Sequence, residues 1–367
     1  MLLYSLPMKK LLSVLLLLGC SLYSQGSNRP QVDSLESVAR ALHARIFSID
    51  THTDTPLDFT PYYNIGHREK SQVCLPKMKE GCLDAQYLAC WVKQGACDSI
   101  GRQKAIKRVH DLIDAIYRQV EMNSDACGVA RTPDELRQLK AEGRKAFCIG
   151  IENGYAIGTH IELLEQYQRK GVTYLTLCHS RNNDICDSSS DKAGARWNGL
   201  SPFGRQVVAE MNRLGMLIDL SHAAESTFWE VSRLSKAPLF ASHSVSRNCY
   251  NHNRNLTDKQ LEAIARSGGV VQACLVPEFL SSSAKSASLD DFMRHLCHLI
   301  EVAGIDHVGI GTDFDGGGGV KGCNGDDELI QITIRLLQLG YNEEQIAKIW
   351  GGNFLRVLAA TQAMATR

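Results

Sequence analysis

The chain has 367 residues, of which 44% are hydrophobic and 22% charged, and its 40 lysines and arginines are matched by 40 aspartates and glutamates. That is an ordinary globular composition, which excludes intrinsic disorder and collagen-like repeats. A net charge of zero argues against a nucleic-acid binder, which carries a basic excess. The length admits two domains or one barrel, and only the first 20 residues are apolar enough to meet a membrane.

Near the N-terminus, Lys9-Lys10 precede the apolar run Leu11-Leu12-Ser13-Val14-Leu15-Leu16-Leu17-Leu18, with Met8 as an alternative start. The run is shorter than the roughly 20 residues that span a bilayer, so it reads as the apolar region of a secretory signal. Leu17-Leu18-Gly19-Cys20 resembles a bacterial lipobox with Cys20 as the lipid-bearing residue; the alternative is ordinary signal-peptidase cleavage near Ser24. The expectation is an exported protein, periplasmic or a cell-envelope lipoprotein of a bacterium, touching a membrane only through a lipid on Cys20. Residues 1–20 are read as signal, 21–40 as linker and 41–367 as one domain. The twelve cysteines after Cys20 contain no Cys-x-x-Cys, which argues against a zinc finger or a thioredoxin site. Cys90, Cys148, Cys178 and Cys274 lie in apolar runs, where cysteine packs as a small core residue.

Beyond the linker, apolar runs alternate with amphipathic segments. The spacing predicts strands over Ile46–Asp50, Ala85–Val92, Ala146–Ile151, Val172–Leu177, Met216–Leu220, Pro238–Ala241, Gly269–Val276 and His307–Gly311. They are short and continuous, as strands buried on both faces should be. Helices are predicted over Gly101–Met122, Thr132–Glu142, Phe203–Leu214, Thr257–Arg266 and Asp290–Ala303, with capping signals at Thr132 and Thr257. Eight strand–helix units point to an α/β fold, a (β/α)8 TIM-type barrel. An open doubly wound sheet needs a glycine-rich turn after its first strand, and Ile49-Asp50-Thr51-His52-Thr53-Asp54 has no glycine. Gly316–Gly319 lacks a P-loop ending and reads as a flexible loop.

The residues at the strand ends carry the chemistry. The first strand runs into His52 and Asp54, which lie two apart and so share a side of an extended segment. Glu152, His179, His222 and His243 end the third to sixth strands, and Thr312-Asp313-Phe314-Asp315-Gly316 follows the eighth. A lone histidine in an apolar run is more often a core residue than a ligand. Four histidines with two aspartates and a glutamate at one level of six strands are not core packing, because buried charge without a partner is costly. His43, His67, His110, His160, His295 and His298 fall on helices or loops and are given no role. Imidazoles and carboxylates without thiolate suit zinc, with manganese or cobalt fitting similar ligands. Two such ions roughly 3.5–4 Å apart can hold a hydroxide and polarise a carbonyl, the chemistry of amide or ester hydrolysis.

From about residue 40 to Leu358 the chain resembles the membrane (renal) dipeptidases, zinc metallopeptidases among the amidohydrolase-like barrels. The resemblance rests on Asp50-Thr51-His52-Thr53-Asp54, Leu75-Pro76-Lys77-Met78-Lys79-Glu80-Gly81, Gly150-Ile151-Glu152-Asn153-Gly154 and Tyr174–Asn183. It continues through Phe203–Val208, Asp219-Leu220-Ser221-His222, Ala241-Ser242-His243-Ser244, Arg254-Asn255-Leu256, Gly309–Gly316 and Trp350–Val357. It implies a binuclear site at the C-terminal mouth, two zinc ions per chain. His52, Asp54 and Glu152 would hold one, and Glu152 would bridge to a second held by His222 and His243. His179 would donate to the developing oxyanion, Arg254 would pair with the substrate carboxylate, and Asp313 would shuttle the proton from the metal-bridging water to the leaving amine. Asp313 is preferred to Asp315, which is assigned to the loop.

The implied activity is hydrolysis of the peptide bond of dipeptides, including those with a C-terminal D-residue. The alternative is a related amidohydrolase acting on N-acyl amino acids or lactones; a neutral lactone would not need Arg254. A non-catalytic barrel would have lost a ligand or Asp313, and each position is filled. A homodimer follows from family analogy alone. Two departures stand out: Cys178 precedes His179 where a threonine is expected, and Cys82 follows Gly81 where a glycine is usual. The family's paired cysteines are not in register, so no disulfide is assigned. The hydrophobic C-terminal tail of the mammalian relatives is replaced by an ending at Thr366-Arg367.

Overall fold

A computed structural model describes residues 29–366. The predicted signal and Cys20 lie outside the described residues. Among those described, no helix is long and apolar enough to cross a membrane.

Nine parallel strands form one sheet: β1 (Ile49–Thr53), β2 (Ala85–Trp91), β3 (Cys127–Val129), β4 (Lys145–Glu152), β5 (Val172–Thr176), β6 (Leu217–Asp219), β7 (Phe240–Ala241), β8 (Val270–Ala273) and β9 (Val308–Ile310). Eight run in the order β1-β2-β4-β5-β6-β7-β8-β9. The ends meet where Asp54 N–H donates to Phe314 O (2.9 Å) and Asp313 N–H donates to His52 O (3.0 Å). The result is the predicted TIM-type barrel, and this seam sets Asp313 beside His52. The eight predicted strands are these eight. The first starts three residues later than expected, so His52 lies within it; Ser48, just before it, is tied to the Asp84 carboxylate through its N–H (2.9 Å) and hydroxyl (3.1 Å). The ninth, β3, was not predicted. It is three residues long with a central glycine, and it pairs with the start of β4, on the edge that β5 takes further along.

The helices follow the strands. Four of the five predicted spans shift by only one or two residues at their starts, and the fifth, Thr132–Glu142, loses one residue at each end, with Thr132 as the cap of Pro133–Ala141. The helix Arg29–Arg45 runs through residue 40, the expected end of the linker, and packs beside the helix Ile330–Gln338.

Strand periodicity divides the core into two layers. Leu88, Ile149, Ile151, Leu175, Ile218 and Val271 face the helices. The alternate residues Tyr87, Cys148, Tyr174, Leu217, Phe240 and Val270 fill the barrel with Phe354. Tyr87, Tyr174, Phe240 and Phe354 make a connected aromatic plug, with successive ring centroids 5.0–5.8 Å apart. The plug is the floor beneath the polar mouth.

Candidate metal centre and active site

At β4 the inward residues are Cys148, Gly150 and Glu152. A side chain on Gly150 would run into the Tyr174 ring, its Cβ 2.1 Å from the nearest ring carbon. Glycine there lets the ring lie flat across β4, and its hydroxyl then reaches His52 Nδ1 at 2.8 Å. His52 Nε2 is thereby turned toward Glu152, whose Oε2 is 3.5 Å away. On the other side of the mouth, His243 Nδ1 lies 2.7 Å from Ser242 Oγ, which donates to Asp219 Oδ2 at 2.6 Å. That too aims Nε2 inward.

Two buried carboxylates brace these arms. Asp50 accepts from the Thr312 N–H (2.8 Å), the Thr312 hydroxyl (2.6 Å) and Gln86 Nε2 (2.8 Å), joining β1 to β2 and to the segment after β9. Asp219 accepts from the Ser242 and Ser221 N–H groups and from the Thr176 hydroxyl. Each acid sits two or three residues before a mouth histidine, in Asp50-Thr51-His52 and Asp219-Leu220-Ser221-His222. Neither acid, nor Tyr174, is assigned a positioning role from sequence; an acid two or three residues before the histidine is the available signal.

Glu152 is the hub. Its Oε1 lies 2.8 Å from His222 Nε2, 3.5 Å from His243 Nε2 and 3.7 Å from His179 Nε2. His52 Nε2 is also 3.8 Å from Asp54 Oδ1 and 3.8 Å from Asp313 Oδ1. Three triads have ligand atoms close enough to share an ion: His52–Asp54–Glu152, Glu152–His179–His222 and His52–His243–Asp313. All seven mouth residues picked from the strand ends therefore come together. Asp315 does not join them; its carboxylate takes the Gln72 N–H (2.7 Å) and the Thr55 hydroxyl (2.8 Å). The glycines that follow form a bonded turn instead of a loose loop, with Gly318 N–H on Asp313 O at 2.7 Å. Gly316 is required: a Cβ there would sit 2.3 Å from Asp313 Oδ1 and 2.7 Å from Asp54 Oδ2.

The backbone is strained here. Asn153, His222, Asp313 and Asp315 all have positive φ (91°, 70°, 63° and 61°), a region that costs energy for residues with a side chain and clusters at functional sites. The electrostatics are equally unusual. Burial opposes protonation of His52, but Glu152, Asp313 and Asp54 outweigh it and push the imidazole up to about 10. Burial raises Asp313 to about 7, His52 opposing and Glu152 adding to the rise. Glu152 is held well below the usual carboxylate range: burial works against ionisation, and the charges of His52 and His179 with the His222 hydrogen bond win.

The donor set fits metal ions. His52 Nε2 and Asp54 Oδ1 are buried with no hydrogen-bond partner, and the Nε2 atoms of His222 and His243 face each other at 2.9 Å. Rings backed from behind, as Tyr174 backs His52 and Ser242 backs His243, are the usual arrangement of metal-binding histidines. The sequence profile of the membrane dipeptidases, peptidase family M19, matches residues 36–367. The chain belongs to this family.

The dipeptidase is 31% identical over 346 residues to an uncharacterised dipeptidase of Schizosaccharomyces pombe, covering 88% of this chain and 82% of the other. Among solved structures, the probable dipeptidase PvdM of Pseudomonas aeruginosa superposes with a TM-score of 0.87 at 28% identity, over 91% of this chain and 100% of that one. A metallopeptidase of Rhodobacter sphaeroides, liganded with a phosphinate mimic of the dipeptide L-Ala-D-Ala, superposes with a TM-score of 0.79 at 28% identity, over 86% and 99%. The barrel and the metallo-dipeptidase class expected from the sequence thus stand.

Arg254 lies after β7 and is buried. It makes no ion pair among the described residues: its Nε has no partner and its Nη2 has only a 3.4 Å bond to His243 O. Its guanidinium carbon stands 5.1 Å from the centre of the Phe279 ring. Cys178, the departure beside His179, turns its thiol to the carbonyls of Asp187 and His222 (3.6 and 3.7 Å).

Proposed function

We propose that the dipeptidase is a binuclear zinc enzyme that cleaves the single peptide bond of a dipeptide and accepts a D-residue at the C-terminal position. The observation that carries this reading is Arg254, a buried cation without a carboxylate at the edge of a nest of metal-ligand side chains. A buried guanidinium needs an anion, and a free α-carboxylate is the planar, bidentate partner that suits it. A substrate so anchored places its only peptide bond over Glu152. The R. sphaeroides enzyme with its L-Ala-D-Ala mimic supports the D-residue.

His52, Asp54 and Glu152 would hold one ion, and Glu152, His222 and His243 the other. When bound, two divalent ions lower the pKa of water toward neutrality and polarise the scissile carbonyl. His179, on the open side of the cluster with its side chain 23% exposed, donates from its ring N–H to the carbonyl oxygen as charge builds there. Asp313 takes the proton of the attacking water on its carboxylate and delivers it to the departing nitrogen. Gly316 and the seam at His52 keep that carboxylate turned inward. We also propose that residues 1–20 direct export and that Cys20 carries the lipid.

The test is a panel of L-Ala-L-Ala, L-Ala-D-Ala and N-acetyl-L-alanine, with native enzyme and Arg254→Ala. Both dipeptides should turn over, and Arg254→Ala should raise KM for them by roughly 30-fold or more, the cost of one lost charge-assisted pair. Preferred turnover of the N-acetyl compound, or an unchanged KM in the variant, would overturn the assignment.

A further inference from the structure

A cavity of about 570 Å³ opens between the loops that follow β1, β2 and β4. It adjoins the metal centre by chain position and by contact. Leu57 lies three residues after Asp54, Tyr155 three after Glu152, and Trp91 pairs in register with Glu152. The Trp91 ring also meets His179 edge-on, with centroids 5.5 Å apart. In the closed strand order this side of the mouth lies across the barrel from the β7 and β8 loops that carry Arg254 and Phe279. A dipeptide whose carboxylate sits on Arg254 therefore extends its N-terminal residue toward this cavity.

The far wall is one face of the helix Ser99–Met122. Ile100, Lys104 and Arg108 recur every four residues and line the cavity together. The ion pairs of this helix are Arg102–Asp184, Lys107–Asp111 and Asp114–Lys170, so neither Lys104 nor Arg108 makes an ion pair among the described residues. The one acid on the wall, Asp98, is occupied as the helix cap, accepting from Gly101 N–H at 2.7 Å. The floor is held in shape by the Tyr155 hydroxyl, which donates to Ala96 O at 2.5 Å. An apolar entrance thus leads to three cations, Lys104, Arg108 and Lys93 on the loop after β2, set against the single carboxylate of Asp98.

We propose that this cavity is the subsite for the side chain of the dipeptide's N-terminal residue, and that Lys104 and Arg108 make it select an acidic one. The proposal rests on the dipeptidase reading and on the orientation set by Arg254. The experiment compares kcat/KM for L-Glu-L-Ala, L-Gln-L-Ala, L-Lys-L-Ala and L-Ala-L-Ala, using native enzyme and the charge reversals Lys104→Glu and Arg108→Glu. Both positions are exposed on a helix, so the variants fold. Native enzyme should prefer Glu-Ala over Gln-Ala by roughly five- to tenfold, the scale of partly screened charge pairs. The double reversal should bring that ratio to one or below and raise the relative rate on Lys-Ala. Turnover of Ala-Ala with no preference for Glu over Gln, or a preference untouched by the reversals, would overturn the subsite and leave the dipeptidase standing. No turnover of any of the four would overturn the dipeptidase reading, and the subsite with it.

Discussion

Tyr174 shows how much of this centre is set by residues that are not themselves ligands. Its ring is buried in the aromatic plug and its hydroxyl holds His52 Nδ1, so packing in the barrel is converted directly into the aim of His52 Nε2 toward Glu152. Replacing Tyr174 with Phe keeps the ring and removes only that bond. The expected result is a roughly 10- to 100-fold weaker metal affinity, the usual effect of losing an outer-shell partner, with little change in unfolding midpoint. Competition against a chromophoric chelator measures the first and urea denaturation the second; unchanged affinity would mean that packing alone orients the ring. The residues proposed as ligands were legible because they share chemistry and a level in the barrel. Tyr174 was not, because an aromatic residue in a buried strand looks like any other core residue until its hydroxyl is placed.

Among the elements, legibility followed hydrophobic pattern. The eight barrel strands are buried on both faces and read as continuous apolar runs, so each was found. The first was misplaced because Ile46 and Phe47 prolong its apolar run, while the Asp84 carboxylate holds Ser48 ahead of the first ladder bond. β3 escaped because three residues around a glycine carry no periodicity. The capping signals differ in the same physical way. Thr257 makes a full capping box with Gln260, whereas Thr132 caps Glu135 N–H at 3.2 Å and Glu135 bonds Arg131 N–H instead of closing the box. Thr132→Ala should therefore cost about 1 kcal/mol in urea unfolding with kcat unchanged, because the helix Pro133–Ala141 contributes no mouth residue. A loss near zero would show that Pro133 and the acidic first turn suffice.

Over the whole molecule, two histidines without a catalytic role couple the fold to pH. His43 Nε2 accepts from the Thr333 hydroxyl (2.7 Å), which itself accepts from Trp350 Nε1, while Nδ1–H faces Cys82 O at 3.1 Å. This chain of donors needs a neutral ring. His295 is arranged likewise, accepting from Ser246 N–H and facing Leu280 O. Burial lowers both to about 4. Between that value and the ordinary value near 6.5 the unfolded chain binds more protons than the folded one. Their contribution is thus complete above about pH 6.5 and is lost as pH falls toward 4. Each amounts to at most about 3 kcal/mol. Stability by urea titration should decline across this window, and His43→Gln should flatten the decline; an equal slope in the variant would contradict the assignment. The central claim concerns Glu152, the one carboxylate shared by four histidines. Its most direct test is metal stoichiometry by elemental analysis of folded native protein and of Glu152→Gln. Each native chain should bind about two zinc ions and the variant should lose at least one, since a neutral amide bridges two cations poorly. Two ions retained by the variant, or none bound by folded native protein, would contradict it.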